Sequence, residues 1–158
     1  MSIIAIDPGT QNTGLVYMDE HRIIDAETIR YKLPVKADQI LLLQRAHEIT
    51  ARIAKWMAPR KHEAVIIEGF VNYSGRQGGY TFQTPYLCGY IHAALDEYFI
   101  IQTSRQVLNT HTRGNVAAYK EAIAQGHDVW GDCSILTNDH VRSAAAHGIY
   151  YYIHKGEE

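Results

Sequence analysis

Two acidic side chains each follow an apolar segment of this chain. Asp7 follows Ile3-Ile4-Ala5-Ile6, and Glu68 follows Val65-Ile66-Ile67. Apolar segments rich in Ile and Val are typical of buried strands. A carboxylate there is costly to bury unless it is paired or binds a cation, and Mg²⁺ prefers carboxylate oxygens. The pair therefore predicts a site for a hard cation. The alternatives are that Asp7 is a turn residue beside Pro8-Gly9 and that Glu68 is a solvated strand end.

A third polar cluster lies near the C-terminus. Asn138 or Asp139 is a suitable N-cap, and the alanines at 144–146 favour a helix. On such a helix His140, Ser143 and His147 share one face. Asp139 is either a capping residue or a metal ligand, and His147 is either a packing residue or part of the polar face.

The three segments, in this order, resemble the RuvC-type Holliday junction resolvases of the ribonuclease H-like superfamily. The signature of that family is found here as Asp7-Pro8-Gly9-Thr10-Gln11-Asn12-Thr13-Gly14. Glu68 matches the strand-end glutamate of the family, with an aromatic residue close behind at Phe70. The segment Ala117-Ala118-Tyr119-Lys120 resembles the family's lysine after small residues.

Ser143 departs from the family pattern, because the resemblance implies an aspartate at this position. A serine hydroxyl is a weak, neutral metal ligand. Three interpretations follow. Asp139 compensates from one turn earlier, His140 makes the second metal contact by itself, or the protein binds junctions with slow or no cleavage.

The resemblance implies a metal-dependent endonuclease that resolves four-way and other branched DNA junctions by two-metal phosphodiester hydrolysis. Asp7 would bridge two Mg²⁺ or Mn²⁺ ions, Glu68 would hold one of them, and Asp139 with His140 would hold the other. Lys120 would either stabilise charge on the scissile phosphate or position the backbone. The resemblance also implies a homodimer, whose two-fold symmetry would match that of the substrate.

The segment after Glu68 combines glycines with aromatic side chains. Residues 69–83 hold four glycines, four aromatic residues and Arg76. Unstacked bases pack well on aromatic rings, so Phe70 and Tyr73 are candidates for a wedge at the branch point and Arg76 for a phosphate contact. The alternative for Phe70 is that it packs on the core.

Charge is unevenly spread along the chain. The formal net charge is −2, which counts against a nucleic-acid partner. However, residues 102–120 contain no acid and include Arg105, Arg113 and Lys120. This stretch is either a local DNA-binding surface or an ordinary solvated region.

Hydrophobic periodicity predicts the elements that position these residues. The pattern indicates an α/β fold with a mixed five-stranded sheet whose first three strands are antiparallel, flanked by helices on both faces. The resemblance implies that this sheet is ribonuclease H-like. The predicted strands are 2–7, 13–19, 22–32, 63–68 and 98–102, and the predicted helices are 35–57, 85–97, 104–109, 115–125 and one starting at 138–139. The helix 85–97 is the expected dimer element through Tyr86, Leu87, Tyr90 and Ile91, with core packing as its alternative.

The composition bounds the remaining possibilities. The chain has 158 residues, 46% of them hydrophobic, which favours one domain over 1–158. It has no apolar run of membrane-spanning length, and two cysteines do not suggest a disulfide scaffold, so we expect a cytoplasmic protein without membrane contact. A nucleotide-binding domain of the actin and sugar-kinase type also uses an Asp-x-Gly-Thr hairpin. That class needs two such domains, and this length suits one.

Overall fold

The computed structural model describes residues 1–19, 22–32, 38–69, 83–108 and 133–154, apart from the side chains of Arg105 and Leu108. Its strands are β1 (Ser2–Asp7), β2 (Asn12–Asp19), β3 (Arg22–Arg30), β4 (Ala64–Gly69) and β5 (Phe99–Thr103). They form one sheet in the order β3-β2-β1-β4-β5. The pairs β1–β2 and β2–β3 are antiparallel, whereas β1–β4 and β4–β5 are parallel. The predicted mixed five-stranded sheet is confirmed.

The described helices are α1 (Gln39–Met57), α2 (Gln83–Ala94), α3 (Ser104–Leu108) and α4 (Asp139–His154), with a 3₁₀ turn at Cys133–Ile135. The predicted start of α1 at Val35 is wrong. Asp38 has an extended backbone and its carboxylate accepts from the Leu41 N–H at 2.8 Å, so the helix begins after this cap. The predicted helix over 115–125 lies outside the described residues.

Helices pack on both faces of the sheet, because successive residues of a strand point to opposite sides. Ile3 and Ala5 of β1 join the cluster that contains Ala144 and Ile149 of α4. Ile4 and Ile6 join the opposite cluster, which contains buried residues of α1 and α2. A doubly covered central strand explains why the sequence of β1 is apolar throughout.

The start of α4 packs directly against β2. A Cβ atom on Gly14 would overlap the carbonyl group of His140 and lie 2.7 Å from the Val141 nitrogen, so a glycine is required for this approach. Gly14 is also the residue paired with Asp7 across the β1–β2 hairpin. The buried Thr13 hydroxyl donates to the Gly9 carbonyl at 2.8 Å and ties the intervening turn together.

Helix α2 packs on the core through some of its residues, a role that the sequence pattern left open. Leu87 and Ile91 are buried, Tyr90 is half-buried, and Tyr86 is exposed. The core alternative therefore applies to Leu87 and Ile91, which are unavailable to a partner chain. The helix also ends at Ala94, earlier than predicted. Among the described residues, no helix combines the length and hydropathy needed to span a membrane.

Candidate active site

Asp7 and Glu68 lie side by side at one edge of the sheet. Strands β1 and β4 are parallel neighbours with Ile6 opposite Ile67, so the residues that follow meet at the carboxyl ends of both strands. The alternation along β1 puts Asp7 on the face covered by α4. The two side chains are 15% and 21% exposed, and their carboxyl groups lie within hydrogen-bonding reach of each other. The predicted strand-end acids are thus brought together.

Helix α4 presents three polar side chains to this pair. The Nδ1 atom of His140 lies 3.1 Å from Oδ2 of Asp7. The Ser143 hydroxyl donates to Oε2 of Glu68 at 3.4 Å, and Nε2 of His147 lies 3.5 Å from the same oxygen. The three residues share one helix face, as their spacing predicts. Asn138 caps this helix, because its side-chain oxygen accepts from the backbone N–H of His140 at 3.0 Å.

Two further polar residues reach the site from the end of β5. The Ser104 hydroxyl donates to Oε1 of Glu68, and Oε1 of Gln102 lies 3.2 Å from Nδ1 of His147. Sequence reasoning missed both. Gln102 pairs with Glu68 in the parallel β4–β5 register, so polar residues closing a third apolar strand were the available signal.

The two carboxyl groups have opposite pKa shifts. Burial raises the pKa of Asp7, the hydrogen bond from His140 opposes this, and the negative charge of Glu68 adds to it. Burial also acts to raise the pKa of Glu68, but hydrogen bonds from His147, Asp7 and Ser143 and the charge of His147 outweigh it, so that pKa is lowered. Two close carboxylates disfavour full ionisation of both. The pair therefore favours a bound proton or a bound cation.

Cys88 of α2 lies next to the site and is unreactive. Its thiol lies 3.8 Å from the Glu68 carbonyl oxygen. Burial, with the nearby charges of Glu68 and Asp7, raises the pKa of Cys88 to about 12. Because the thiolate is the nucleophilic form of cysteine, this residue is not a nucleophile at neutral pH. Neither Cys88 nor Cys133 forms a disulfide within the described part of the chain.

The donor set at this edge fits a divalent cation that shares its coordination with a substrate. Within the described ranges, no three His, Cys, Asp or Glu side chains are grouped so that they could hold a metal ion. Mg²⁺ is commonly held by only one or two carboxylates, with waters and substrate phosphates as further ligands. Asp7 and Glu68 supply that number of carboxylates.

Asp139 is not brought to the carboxylate pair. Its side chain is 90% exposed, and its carboxylate lies 3.6 Å from Nη1 of Arg142. Asp139 precedes His140 by one residue and therefore points about 100° away around the helix. The described geometry therefore does not bring Asp139 to Asp7 and Glu68, and its role as a metal ligand stays a prediction.

The predicted DNA-contacting residues lie in parts of the chain that are not described. Phe70, Tyr73, Arg76, Arg113 and Lys120 fall in the ranges 70–82 and 109–132. Arg105 belongs to α3, but its side chain is likewise outside the description. Their proposed roles stay predictions.

Comparisons with known proteins identify the fold. Neither a protein-family model nor a curated protein sequence matches this chain. RuvC from T. thermophilus in complex with a Holliday junction substrate matches with a TM-score of 0.72 and 19% identity, over 98% of this chain and 94% of that chain. Another structure of Thermus thermophilus RuvC matches with a TM-score of 0.70 and 19% identity, over 98% and 95%. Fowlpox virus resolvase in complex with Holliday junction DNA gives 0.53 and 13%, over 94% and 97%. The chain has the RuvC-type, ribonuclease H-like fold.

Proposed function

We propose that this chain, which has the RuvC-type fold, is a metal-dependent endonuclease that cleaves four-way DNA junctions. The observation that carries the proposal is the adjacency of Asp7 and Glu68 at the ends of two parallel strands, facing the polar side of α4. Two solved structures of similar fold contain Holliday junction DNA. A partly exposed carboxylate pair suits hydrolysis of a phosphodiester on a bulky substrate, because the substrate can reach it from solvent.

Asp7 and Glu68 are the proposed metal ligands. Bound Mg²⁺ or Mn²⁺ would supply activation of the attacking water and stabilisation of the leaving oxygen. His140 orients the Asp7 carboxylate through its Nδ1 contact at 3.1 Å. Ser104, Ser143 and His147 hold the two oxygens of Glu68. Carboxylates fixed in this way need little rearrangement when a phosphate arrives.

The remaining machinery belongs to the same proposal. Lys120 stabilises charge on the scissile phosphate, Phe70 and Tyr73 pack on bases at the branch point, and Arg76 and Arg113 contact phosphates. Two copies of the chain act together, because a four-way junction is resolved by two cuts and each chain contains one Asp7–Glu68 pair among its described residues. Closed two-fold symmetry would present the two sites to equivalent strands.

A non-catalytic junction-binding protein is the second candidate. The observation that favours it is Ser143, whose neutral hydroxyl faces Glu68 at 3.4 Å where the resemblance implies an aspartate. With one negative charge fewer on α4, the site attracts cations less strongly. Binding of branched DNA without cleavage would then be the whole activity.

The deciding experiment uses an end-labelled immobile four-way junction and a linear duplex of matched sequence. We expect paired nicks in the junction with Mg²⁺ or Mn²⁺, none in the duplex and none with EDTA. Asp7→Asn and Glu68→Gln should each lower the cleavage rate by at least 100-fold while junction binding persists, because neither variant removes a DNA-binding cation. An unreduced rate in both variants, or equal cleavage of the duplex, would contradict the proposal.

Ser143→Asp separates a slow enzyme from a pure binding protein. A third carboxylate beside Glu68 should lower the unfolding free energy in EDTA by about 1–3 kcal/mol through charge repulsion. Mn²⁺ should restore that stability and should bind more tightly than it binds the unmodified chain, as titration calorimetry would measure. Ser143→Ala is the matched control, because it alters the same position without adding charge. Junction binding with no cleavage by either the native chain or Ser143→Asp would select the non-catalytic candidate.

A further inference from the structure

A basic pocket lies beside the hairpin that carries Asp7. The described residues that line it are Gln11, Asn12, Arg30, Tyr31 and Lys32, and its volume is about 600 Å³. None of these residues is acidic. The β2–β3 register pairs Asn12 with Arg30, and the Tyr31 N–H donates to the Gln11 carbonyl at 2.8 Å. The pocket is therefore built on paired backbone at the end of the sheet.

Within the described ranges, no acidic side chain forms an ion pair with the positive charges of this pocket. Arg30 and Lys32 are exposed, and neither has an ion-pair partner within the described part of the chain. By contrast, the nearby Arg45 forms an ion pair with Glu48. A surplus of two positive charges thus stays at the pocket of a chain whose formal net charge is −2.

The ring of Tyr31 orders two further guanidinium groups behind the pocket. The central carbon of Arg45 lies 4.8 Å from the ring centroid, and that of Arg52 lies 5.6 Å from it. Arg52 also contacts Glu27 at 3.4 Å. The aromatic ring is occupied by these cations and is less open to a stacking base, so the pocket favours an anion over a nucleobase.

The position of the pocket relates it to the carboxylate site. Asp7 pairs with Gly14 on β2, and Gly14 pairs with Thr28 on β3, two residues before Arg30. Two strand spacings and two residues along a strand place the Cα atoms of Arg30 and Asp7 about 12 Å apart. At a rise of about 3.4 Å per base pair along the duplex axis, this distance corresponds to roughly three or four base pairs of an arm when measured along that axis.

We propose that this pocket binds the phosphate backbone of a junction arm, a few nucleotides away from the phosphate that is cleaved at Asp7 and Glu68. This inference rests on the proposed function. Arg30 and Lys32 contact phosphate oxygens as cations, while the Gln11 and Asn12 amides donate hydrogen bonds. Binding here orients the arm, so that the carboxylate pair meets a phosphodiester at a fixed distance from the branch point.

The test measures the salt dependence of junction binding by fluorescence anisotropy in EDTA, so that cleavage does not interfere. The double variant Arg30→Gln/Lys32→Gln is compared with the control Arg22→Gln/Lys61→Gln. The control removes the same two charges from exposed positions at the opposite end of the sheet, so the net charge of the two variants is equal. Each lost phosphate contact should reduce the slope of log K against log salt by about 1.

We expect the Arg30→Gln/Lys32→Gln slope to be shallower by about 1–2 and its affinity at low salt to be at least 10-fold weaker, with the control close to the native chain. Equal slopes in the two double variants, with the native chain binding and cleaving the junction, would overturn the pocket proposal alone. A native chain that neither binds nor cleaves the junction would overturn both proposals. Unfolding curves of each variant check that the fold is retained.

Discussion

The ring of His140 and the carboxylate of Asp7 influence each other's charge. The hydrogen bond to Asp7 is the largest effect and raises the pKa of His140. Burial opposes it with a smaller effect, and the negative charges of Asp7, Asp139 and Glu68 raise the pKa further. The folded chain therefore holds the His140 proton more tightly than the unfolded chain does. An imidazolium at this position stabilises an ionised Asp7, which is the form that binds a cation.

This raised pKa predicts a pH dependence of stability. The contribution of His140 is fully present below its ordinary value of about 6.5 and is lost as pH rises through the higher pKa of the folded state. In EDTA, the unfolding free energy of the native chain should fall from pH 6 upward by more than that of His140→Asn, as urea titrations between pH 6 and 9 would measure. Asp7→Asn should remove the same component, because the shift originates in the Asp7 contact. Identical pH dependence in all three proteins would contradict this account.

The sequence predicts some of these side chains better than others. Asp7 and Glu68 are predictable because each closes an apolar strand, and parallel strands bring their carboxyl ends to one edge. The contact of Ser104 with Glu68 depends on β5 lying next to β4, and that of His147 depends on α4 packing over β4, and no local pattern encodes either arrangement. The exposure of Asp139 depends on which residue caps the helix, and sequence preference alone does not distinguish Asn138 from Asp139.

Helix α4 is held at the site by its close approach to β2. The backbone of His140 lies where a side chain at position 14 would otherwise be, so Gly14 fixes the distance between the helix and Asp7. Asn138 also holds the start of α4 against the sheet, because its amide donates to the hydroxyl of Thr28 on β3 at 2.6 Å. Gly14, which belongs to the family-like signature, thus has a packing role that does not depend on any catalytic role.

Gly14→Ala should separate α4 from the sheet. The new methyl group meets backbone atoms, which cannot rotate away, so we expect a loss of about 1–3 kcal/mol in unfolding free energy. Nuclease activity should fall as well, because His140 would move away from Asp7. The measurement is urea unfolding together with junction cleavage.

Gly89→Ala is the control for that substitution. Gly89 lies in α2 and has open space around its Cα, so an added methyl group meets nothing within 4 Å. Alanine should stabilise the helix there by up to about 1 kcal/mol. A Gly14→Ala variant as stable and as active as Gly89→Ala would show that the close approach of α4 is not required.

The order of the strands explains how one short chain builds the site. The β1–β2–β3 meander is local in sequence and was predictable from turn residues, whereas the parallel placement of β4 and β5 beside β1 joins distant segments. That arrangement gathers Asp7, Glu68 and Gln102 at one edge, with the Arg30 pocket at the β3 end of the same edge. The predicted basic stretch 102–120 lies mostly outside the described residues, whereas Arg30 and Lys32 form a basic surface whose position the structure describes.

The two-copy assembly predicts a specific product pattern with a supercoiled plasmid that extrudes a cruciform. Two cuts within one bound assembly give linear plasmid, whereas one cut gives a nicked circle. A ten-fold excess of Asp7→Asn chain, mixed beforehand and allowed to exchange, should place about nine in ten native chains beside an inactive partner. Nicked circles should then become the main product, as gel electrophoresis would reveal.

The order of addition supplies the control for this mixing experiment. Asp7→Asn chain added after the native chain has bound the plasmid should leave linear plasmid as the main product, because assembled copies already occupy the junction. If the ratio of linear to nicked plasmid did not depend on pre-mixing, one chain would make both cuts in succession. In that case a single Asp7–Glu68 site would rebind the four-way junction to make the second, symmetry-related cut, and no dimer would be needed.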